Sequence, residues 1–414
     1  MKLRDKVVSG FGSALEWYDF SLYGYFAPLL AQLYFPESNP AIGLLKTFSI
    51  FSIGFFARPI GALIFGYISD KYGRTSSLKL TPLLITCPTL LFCFLPTYEQ
   101  IGIFAPLLLT FLRIWQGICI GGEHANNIVY LCETSKKSRL YFIGSIGSCT
   151  GSLGILFSSL IAALCYSVFS PATMSLFGWR LAFSISFIIG IVVFLARRTM
   201  KESDVFSSLP PQISKHNPIY DSYKNQWQDY LLSIGLILLP ATSFYYIFIF
   251  LPTFLTNTLN YTSSKILGDN SFSLLMRLFI IPIIGLLADK VGGIVIARLS
   301  CLLFIFLSVP LFYNIVYFPE LSIISIYTFA LLTTLNAATT PGLLMEYLKP
   351  ETRCTIFSFS FNLCFGIFGG VTPVIGFLLA DKIESRIAPV YYLVMIACIT
   401  FIVSFFYNKR SKQS

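Results

Sequence analysis

The chain has 414 residues, of which 55% are hydrophobic and only 12% charged, about half the charged share of a soluble domain. That balance excludes an ordinary soluble globule, a disordered chain and a coiled coil. A transmembrane β-barrel is excluded too, because runs such as Ile155 to Val168 and Phe183 to Ala196 do not alternate between apolar and polar residues. The net charge of +10 would suggest nucleic acid in a soluble protein, but here its cause is topological and no nucleic-acid partner is expected.

In chain order, basic residues from Met1 to Lys6 lead into an apolar run, as in a signal peptide. That run carries Glu16 and Asp19 and lacks a small-residue cleavage site, so a retained first helix is expected. Apolar windows of about twenty residues predict helices over 9–35, 44–69, 79–96, 101–131, 141–169, 179–197, 230–257, 266–288, 293–315, 321–347, 354–380 and 387–407. The reading is an all-α membrane protein with twelve transmembrane helices, and an even number puts both termini on one side. Most of the 29 basic residues, among them Lys2, Arg4, Lys6, Lys79, Lys136, Lys137 and Arg410, fall at the termini and in alternate connections. The opposite connections hold only Lys46, Arg180, Lys265, Lys382 and Arg386, so both termini are expected in the cytoplasm, in a cytoplasmic (inner) membrane.

The polar stretch after Arg197, with Pro210, Pro211 and Pro218, divides the chain into six-helix bundles over 1–197 and 230–414 joined by a linker over 198–229. Gly66-Tyr-Ile-Ser-Asp70-Lys71-Tyr-Gly73 after the second span is echoed by Gly285-Leu-Leu-Ala-Asp289-Lys290-Val-Gly292 after the eighth. Glu133 with Arg139 is echoed in the same order by Glu346 with Arg353, which argues for two pseudo-symmetric halves. The ten cysteines lie mostly in apolar runs and read as packing residues; with only His124 and His216 in the chain, no metal site is expected. No GxxxxGK[ST], GxSxG or HExxH motif occurs, so neither direct ATP drive nor an enzyme is expected, and no cofactor is called for.

Glu16 and Asp19 stand three residues apart with Tyr23 four further on, which puts all three near one helical face. A charge at the centre of a spanning helix costs roughly 2.5–3.5 kcal/mol on insertion scales, so such groups face partners or a wet cavity. At about 1.5 Å per residue, Asp19 lies roughly 15 Å from one surface and Arg113 about 13 Å from the other, which places both near the midplane. That shared depth allows an Asp19–Arg113 pair if spans one and four adjoin, and Glu16 lies at about the depth of Arg58 of span two, which suggests a second pair. Two carboxylates in one cavity cannot both ionise cheaply, which is the physical requirement for a proton-coupling residue. Glu16, Asp19 and Glu123 are the candidate acids, with Arg113 as substrate-binding or partner-swapping cation; locking helices together is the competing use of the same charges. Gly117 and Gly121, Gly147 and Gly151, and Gly366 and Gly370 are spaced for close helix approach. Tyr245, Tyr246, Thr333, Thr334 and Asn336 are the polar candidates in the second half, His124 is a possible proton shuttle beside Glu123, and His216 in the linker needs no special role.

Gly66-xxx-Asp70-Lys71-x-Gly73-Arg74 resembles the loop signature of the major facilitator superfamily. Within it the chain resembles the metabolite:proton symporters, through Glu16-Trp-Tyr-Asp19-Phe20 with Tyr23-Gly24, Arg58-Pro59-x-Gly61 and Arg113-xx-Gln116-Gly117-xxx-Gly121-Gly122-Glu123. Phe177-Gly178-Trp179-Arg180, Glu202-Ser-x-x-Phe206 and Asn362-xxx-Gly366-xx-Gly369-Gly370-xx-Pro373 continue the series in family order. Ser13, Thr75 and Gly293 depart from the pattern, standing where the family usually has Asn, a basic residue and Arg.

The resemblance implies a secondary transporter working by alternating access, with spans one and four lining a central cavity. It implies proton-coupled symport of a small zwitterion of the proline or betaine type, by a protein functional as a monomer. Organic acids of the dicarboxylate, citrate or shikimate type are the alternative substrates, and a non-transporting receptor or scaffold the alternative class. Gly66, Asp70, Lys71, Gly73, Arg74, Glu133, Arg139, Asp289, Lys290, Glu346 and Arg353 are then expected to form a cytoplasmic gate.

Overall fold

In the lipid interior every backbone polar group must be bonded internally, and a helix does this within one segment. The computed structural model, which describes residues 3–210, 217–259, 263–383 and 385–407, consists of helices joined by short turns, with no strand among those residues. The long helices of the first half are α1 (Leu3–Tyr34), α2 (Pro40–Tyr72), α3 (Arg74–Cys93), α4 (Phe104–Glu133), α5 (Leu140–Val168) and α6 (Trp179–Arg197). Those of the second are α7 (Trp227–Tyr245), α8 (Ser263–Val291), α9 (Gly293–Tyr317), α10 (Pro319–Tyr347), α11 (Arg353–Leu363) and α12 (Pro389–Phe405). Ten helical stretches among the described residues are long and apolar enough to cross a membrane. Outside that set stand α1, of 32 residues, and α12, an apolar helix of 17 residues, which complete a twelve-helix architecture.

Two helices are longer than a single regular segment. α7 continues through a wide π turn at Tyr246–Phe250 into Leu251–Thr258, and α11 through one at Cys364–Gly369 into Gly370–Lys382. Each turn ends shortly before a proline, Pro252 or Pro373, which has no N–H to offer the carbonyl four residues back, so the ladder re-registers there. The breaks after α2 and α8 are shorter than the apolar windows predict. A single glycine makes each of them, Gly73 at φ 110° and Gly292 at φ 100°, a backbone region that other residues rarely adopt.

The chain forms two compact units, one of residues 1–134 and 150–219, the other of residues 135–149 and 220–414. In the first, α2 packs along α4, α3 lies against α4 and α6, and α1 against α6. The α2–α4 contact is close because glycines of α4 meet the backbone of α2 at the crossing: a methyl on Gly121 would lie 2.1 Å from the Arg58 carbonyl oxygen, and one on Gly117 2.1 Å from that of Gly54. A buried aromatic core including Tyr18, Tyr23, Phe26, Phe92, Trp179 and Phe183 fills the space between α1, α3, α4 and α6. In the second unit α9 packs on α10 and α12, α8 on α10, and α7 on α12. Gly370 meets nothing, so its expected packing role is not found; the close approach is at Gly369, against the ring of Tyr245. His216 falls outside the described residues.

Candidate functional site

The first unit holds a column of ionisable side chains inside α1, α2, α4 and α6. Glu16 of α1 accepts a 2.8 Å hydrogen bond from Arg58 Nη2 of α2, and both are buried. The Arg58 guanidinium lies among the rings of Trp17, Phe20 and Phe55, with its carbon 5.3–5.4 Å from their centroids. Glu16 Oε2 and Arg58 Nε and Nη1 have no further partner.

One turn on, Asp19 and Arg113 do not form the expected ion pair. The Thr89 hydroxyl of α3 lies 2.7 Å from Asp19 Oδ2 and 3.0 Å from the Ile85 carbonyl, and its single proton serves one acceptor at a time. Gln116 Nε2 donates to the same hydroxyl oxygen at 3.2 Å, and Asp19 Oδ1 has no partner. Arg113, only 1% exposed, makes no hydrogen bond through Nε, Nη1 or Nη2. Its guanidinium carbon instead lies 3.7 Å from the centroid of the Tyr23 ring, with Phe92 at 5.1 Å. Tyr23 is fixed by donating its hydroxyl to the Thr47 carbonyl at 3.1 Å. A cation over an aromatic face gains up to about 2 kcal/mol when desolvated, whereas leaving an ion dry costs several kcal/mol. Arg113 is therefore a cation short of an anion, beside a carboxylate with an open oxygen.

Glu123 has a different environment. Arg197 of α6 grips it through Nη2 at 2.6 Å and Nη1 at 2.9 Å, and the Thr81 hydroxyl donates to Oε2. Arg197 also donates to the carbonyls of Leu78 and Ser9, both at 2.6 Å, which ties α1, α3, α4 and α6 together. A carboxylate held this way is a strut, and its expected availability for proton coupling is not supported by its surroundings. His124 points to Ser13, its Nδ1 2.5 Å from the hydroxyl, and Thr150 donates to Ser13 at 3.0 Å. Ser13 thus belongs to a small polar cluster beside Trp17.

At the α2–α3 turn, Arg74 of α3 is saturated. It donates to Glu133 through Nε at 3.0 Å and Nη2 at 3.1 Å, and through Nη1 to Asp70 at 2.7 Å and the Ser69 carbonyl at 3.1 Å. Glu202 caps α3 by accepting from the backbone N–H groups of Arg74 and Thr75 and from the Thr75 hydroxyl, the last at 2.7 Å. Ser203 donates to Glu133 at 2.8 Å and accepts from the Phe206 N–H, so the Glu202-Ser-x-x-Phe206 block closes this corner. Thr75, a departure from the family pattern, is therefore a Glu202 ligand. Lys71 stands apart, donating to the Tyr67 hydroxyl, and Gly66 is buried within α2.

The echo in the second unit uses different chemistry. Asp289 accepts from the N–H groups of Tyr141 at 2.9 Å and Phe142 at 3.2 Å, capping the start of α5, where a helix end favours negative charge. Glu346 accepts from the hydroxyls of Tyr141 at 2.8 Å and Tyr407 at 3.0 Å. Gly293, the third departure, lies against the Tyr141 ring, where a methyl would come within 2.0 Å. Arg353 donates to the carbonyls of Met345 and Leu348, while Arg139 and Lys290 are exposed. Tyr141, Asp289, Arg298, Glu346 and Tyr407 line a cavity of about 300 Å³.

Three residues outside the expected site organise these contacts: Glu202, which the family block already contains, and Arg197 and Arg277, to which the sequence assigns no role. Arg277 of α8 donates to the Thr333 hydroxyl at 2.7 Å and lies 5.3 Å from the Phe244 ring and 5.7 Å from that of Phe248. It stands as far before Asp289 as Arg58 stands before Asp70, a signal the duplicated motif already carried. Of the other second-half candidates, Asn336 donates to Ser300, and Tyr246 is buried with its hydroxyl unpartnered.

The chain is similar to the putative proline/betaine transporter of Staphylococcus aureus (strain COL), at 31% identity over 96% of this chain and 86% of that one. It is 26% identical to the proline/betaine transporter of Escherichia coli (strain K12), over 96% of this chain and 82% of the relative. Among solved structures it matches the proton:xylose symporter XylE with a TM-score of 0.77 at 14% identity, covering 97% of this chain and 94% of that one, a likeness of fold alone. Residues 10–373 match the model of the Major Facilitator Superfamily, and this multi-pass membrane protein belongs to that family.

Proposed function

We propose that the protein is a proton-coupled symporter of a small zwitterion of the proline or betaine type, working by alternating access as a monomer in the cytoplasmic membrane, with both termini in the cytoplasm. The family membership makes it a secondary transporter, and relatives named proline/betaine transporters over nearly its whole length support the substrate class. The observation that carries the coupling is the pairing of shortfalls in the first unit: Asp19 with an unbonded oxygen and Arg113 with no hydrogen bond. Such a pair has two states, one with Asp19 charged and answered by Arg113, the other with Asp19 protonated and Arg113 released. The division over 1–197, 198–229 and 230–414 supplies the two moving halves in this reading, and the Arg74–Asp70–Glu133 corner serves as the cytoplasmic latch.

Uptake into proteoliposomes with an imposed pH gradient tests the proposal, with proline, betaine, citrate, 2-oxoglutarate and shikimate as competitors. Gradient-driven accumulation of proline or betaine is expected. Uptake indifferent to the gradient overturns symport, and competition by citrate or shikimate alone moves the substrate to the organic acids.

A further inference from the structure

Arg58 and Arg277 occupy equivalent places ahead of the duplicated Asp-Lys pair, on α2 and α8. Each guanidinium lies against aromatic rings from the first helix of its own unit: Trp17 and Phe20 of α1 for Arg58, Phe244 of α7 and Phe248 of the π turn that continues it for Arg277. The difference is the anion. Arg58 has Glu16 at 2.8 Å, whereas Arg277 has no carboxylate within 4.0 Å among the described residues. The acids on its own helix are Asp269, about 12 Å away along the axis, and Asp289, about 18 Å away; Asp269 accepts from Tyr327 and Asp289 caps α5. Arg277 is 6% exposed, holds Thr333 with Nη1 and leaves Nε without a partner.

In the first unit the buried charges of this column match in number, Glu16 with Arg58, Asp19 with Arg113 and Glu123 with Arg197. In the second, no acid among the described residues answers Arg277. A buried arginine needs an anion, and its planar fork suits a carboxylate held by two parallel hydrogen bonds.

We propose that Arg277, oriented by Thr333 and walled by Phe244 and Phe248, binds the carboxylate of the transported molecule, and so selects carboxylate-bearing substrates. The inference rests on the transport reading and assigns the anion to the second unit, leaving Arg113 to answer Asp19. The test is competition for uptake, and thermal stabilisation of the purified protein, by betaine against choline, its quaternary amine without a carboxylate, with citrate as a further probe. Wild type should prefer betaine over choline by roughly ten- to a hundred-fold, the worth of one charge-assisted contact. Arg277→Gln should bring that ratio near one, and Arg277→Lys, which keeps the charge if the Gln variant fails to fold, should lower it while retaining part of the preference. An unchanged betaine-to-choline ratio in either folded variant overturns the assignment while the transport reading stands. Arg277-dependent binding of citrate in a protein that ignores betaine keeps the assignment and overturns the zwitterion. Absence of any carboxylate binding by wild type overturns both.

Discussion

Glu123 and Asp19 are both buried carboxylates in the same unit, yet their surroundings differ in kind. Glu123 accepts two hydrogen bonds from Arg197 and one from Thr81, and Arg197 goes on to two backbone carbonyls. Asp19 is met at Oδ2 by the Thr89 hydroxyl and has no hydrogen bond at Oδ1, beside an arginine that makes none. Saturation is what a strut needs, since a fixed charge in low dielectric is tolerated only when every strong lone pair is answered. Shortfall is what a proton or ligand site needs, because the missing partner is the one that comes and goes.

Substitutions should separate these two kinds of charge. Arg197→Ala leaves Glu123 buried and unanswered, and should cost about 3–5 kcal/mol, read as loss of monodisperse, folded protein in detergent; wild-type stability would put Glu123 in the same class as Asp19. Glu133→Gln should cost about 2–3 kcal/mol, because Arg74 keeps Asp70 and the Ser69 carbonyl, and it should raise leak in uptake assays if this corner is a latch. Gly121→Ala, which forces a methyl onto the Arg58 carbonyl, should cost about 1–3 kcal/mol in thermal unfolding and disturb the Glu16–Arg58 contact with it. Asp19→Asn should change stability by less than about 1 kcal/mol, because no ion pair is broken.

The fold was largely legible in the sequence because lipid leaves so few solutions: apolar windows, basic connections and a repeated turn motif define the helices and their duplication. Windows missed that Gly73 and Gly292 each turn the chain alone, since hydropathy does not register a positive φ. The Glu16–Arg58 contact follows from depth along two helices. The Asp19–Arg113 pair does not form, since equal depth says nothing of rotation about the axis, and Thr89 and Tyr23 stand where each partner was expected. The Arg197–Glu123 contact is not legible in the sequence, because Arg197, at the end of α6, reads as a topology charge until its side chain is seen inside. Arg277 was overlooked although its spacing to Asp289 repeats that of Arg58 to Asp70, because one arginine without an acid nearby in sequence looks like no site at all.

Proton coupling through Asp19 is tested most directly in reconstituted vesicles. Purified wild type and Asp19→Asn, matched for fold and amount, are compared for proline or betaine uptake with the outside made acidic. Wild type should concentrate the substrate, and Asp19→Asn should at most equilibrate it at the same rate with or without the gradient. Accumulation by Asp19→Asn equal to wild type would contradict the claim that the unanswered carboxylate carries the proton.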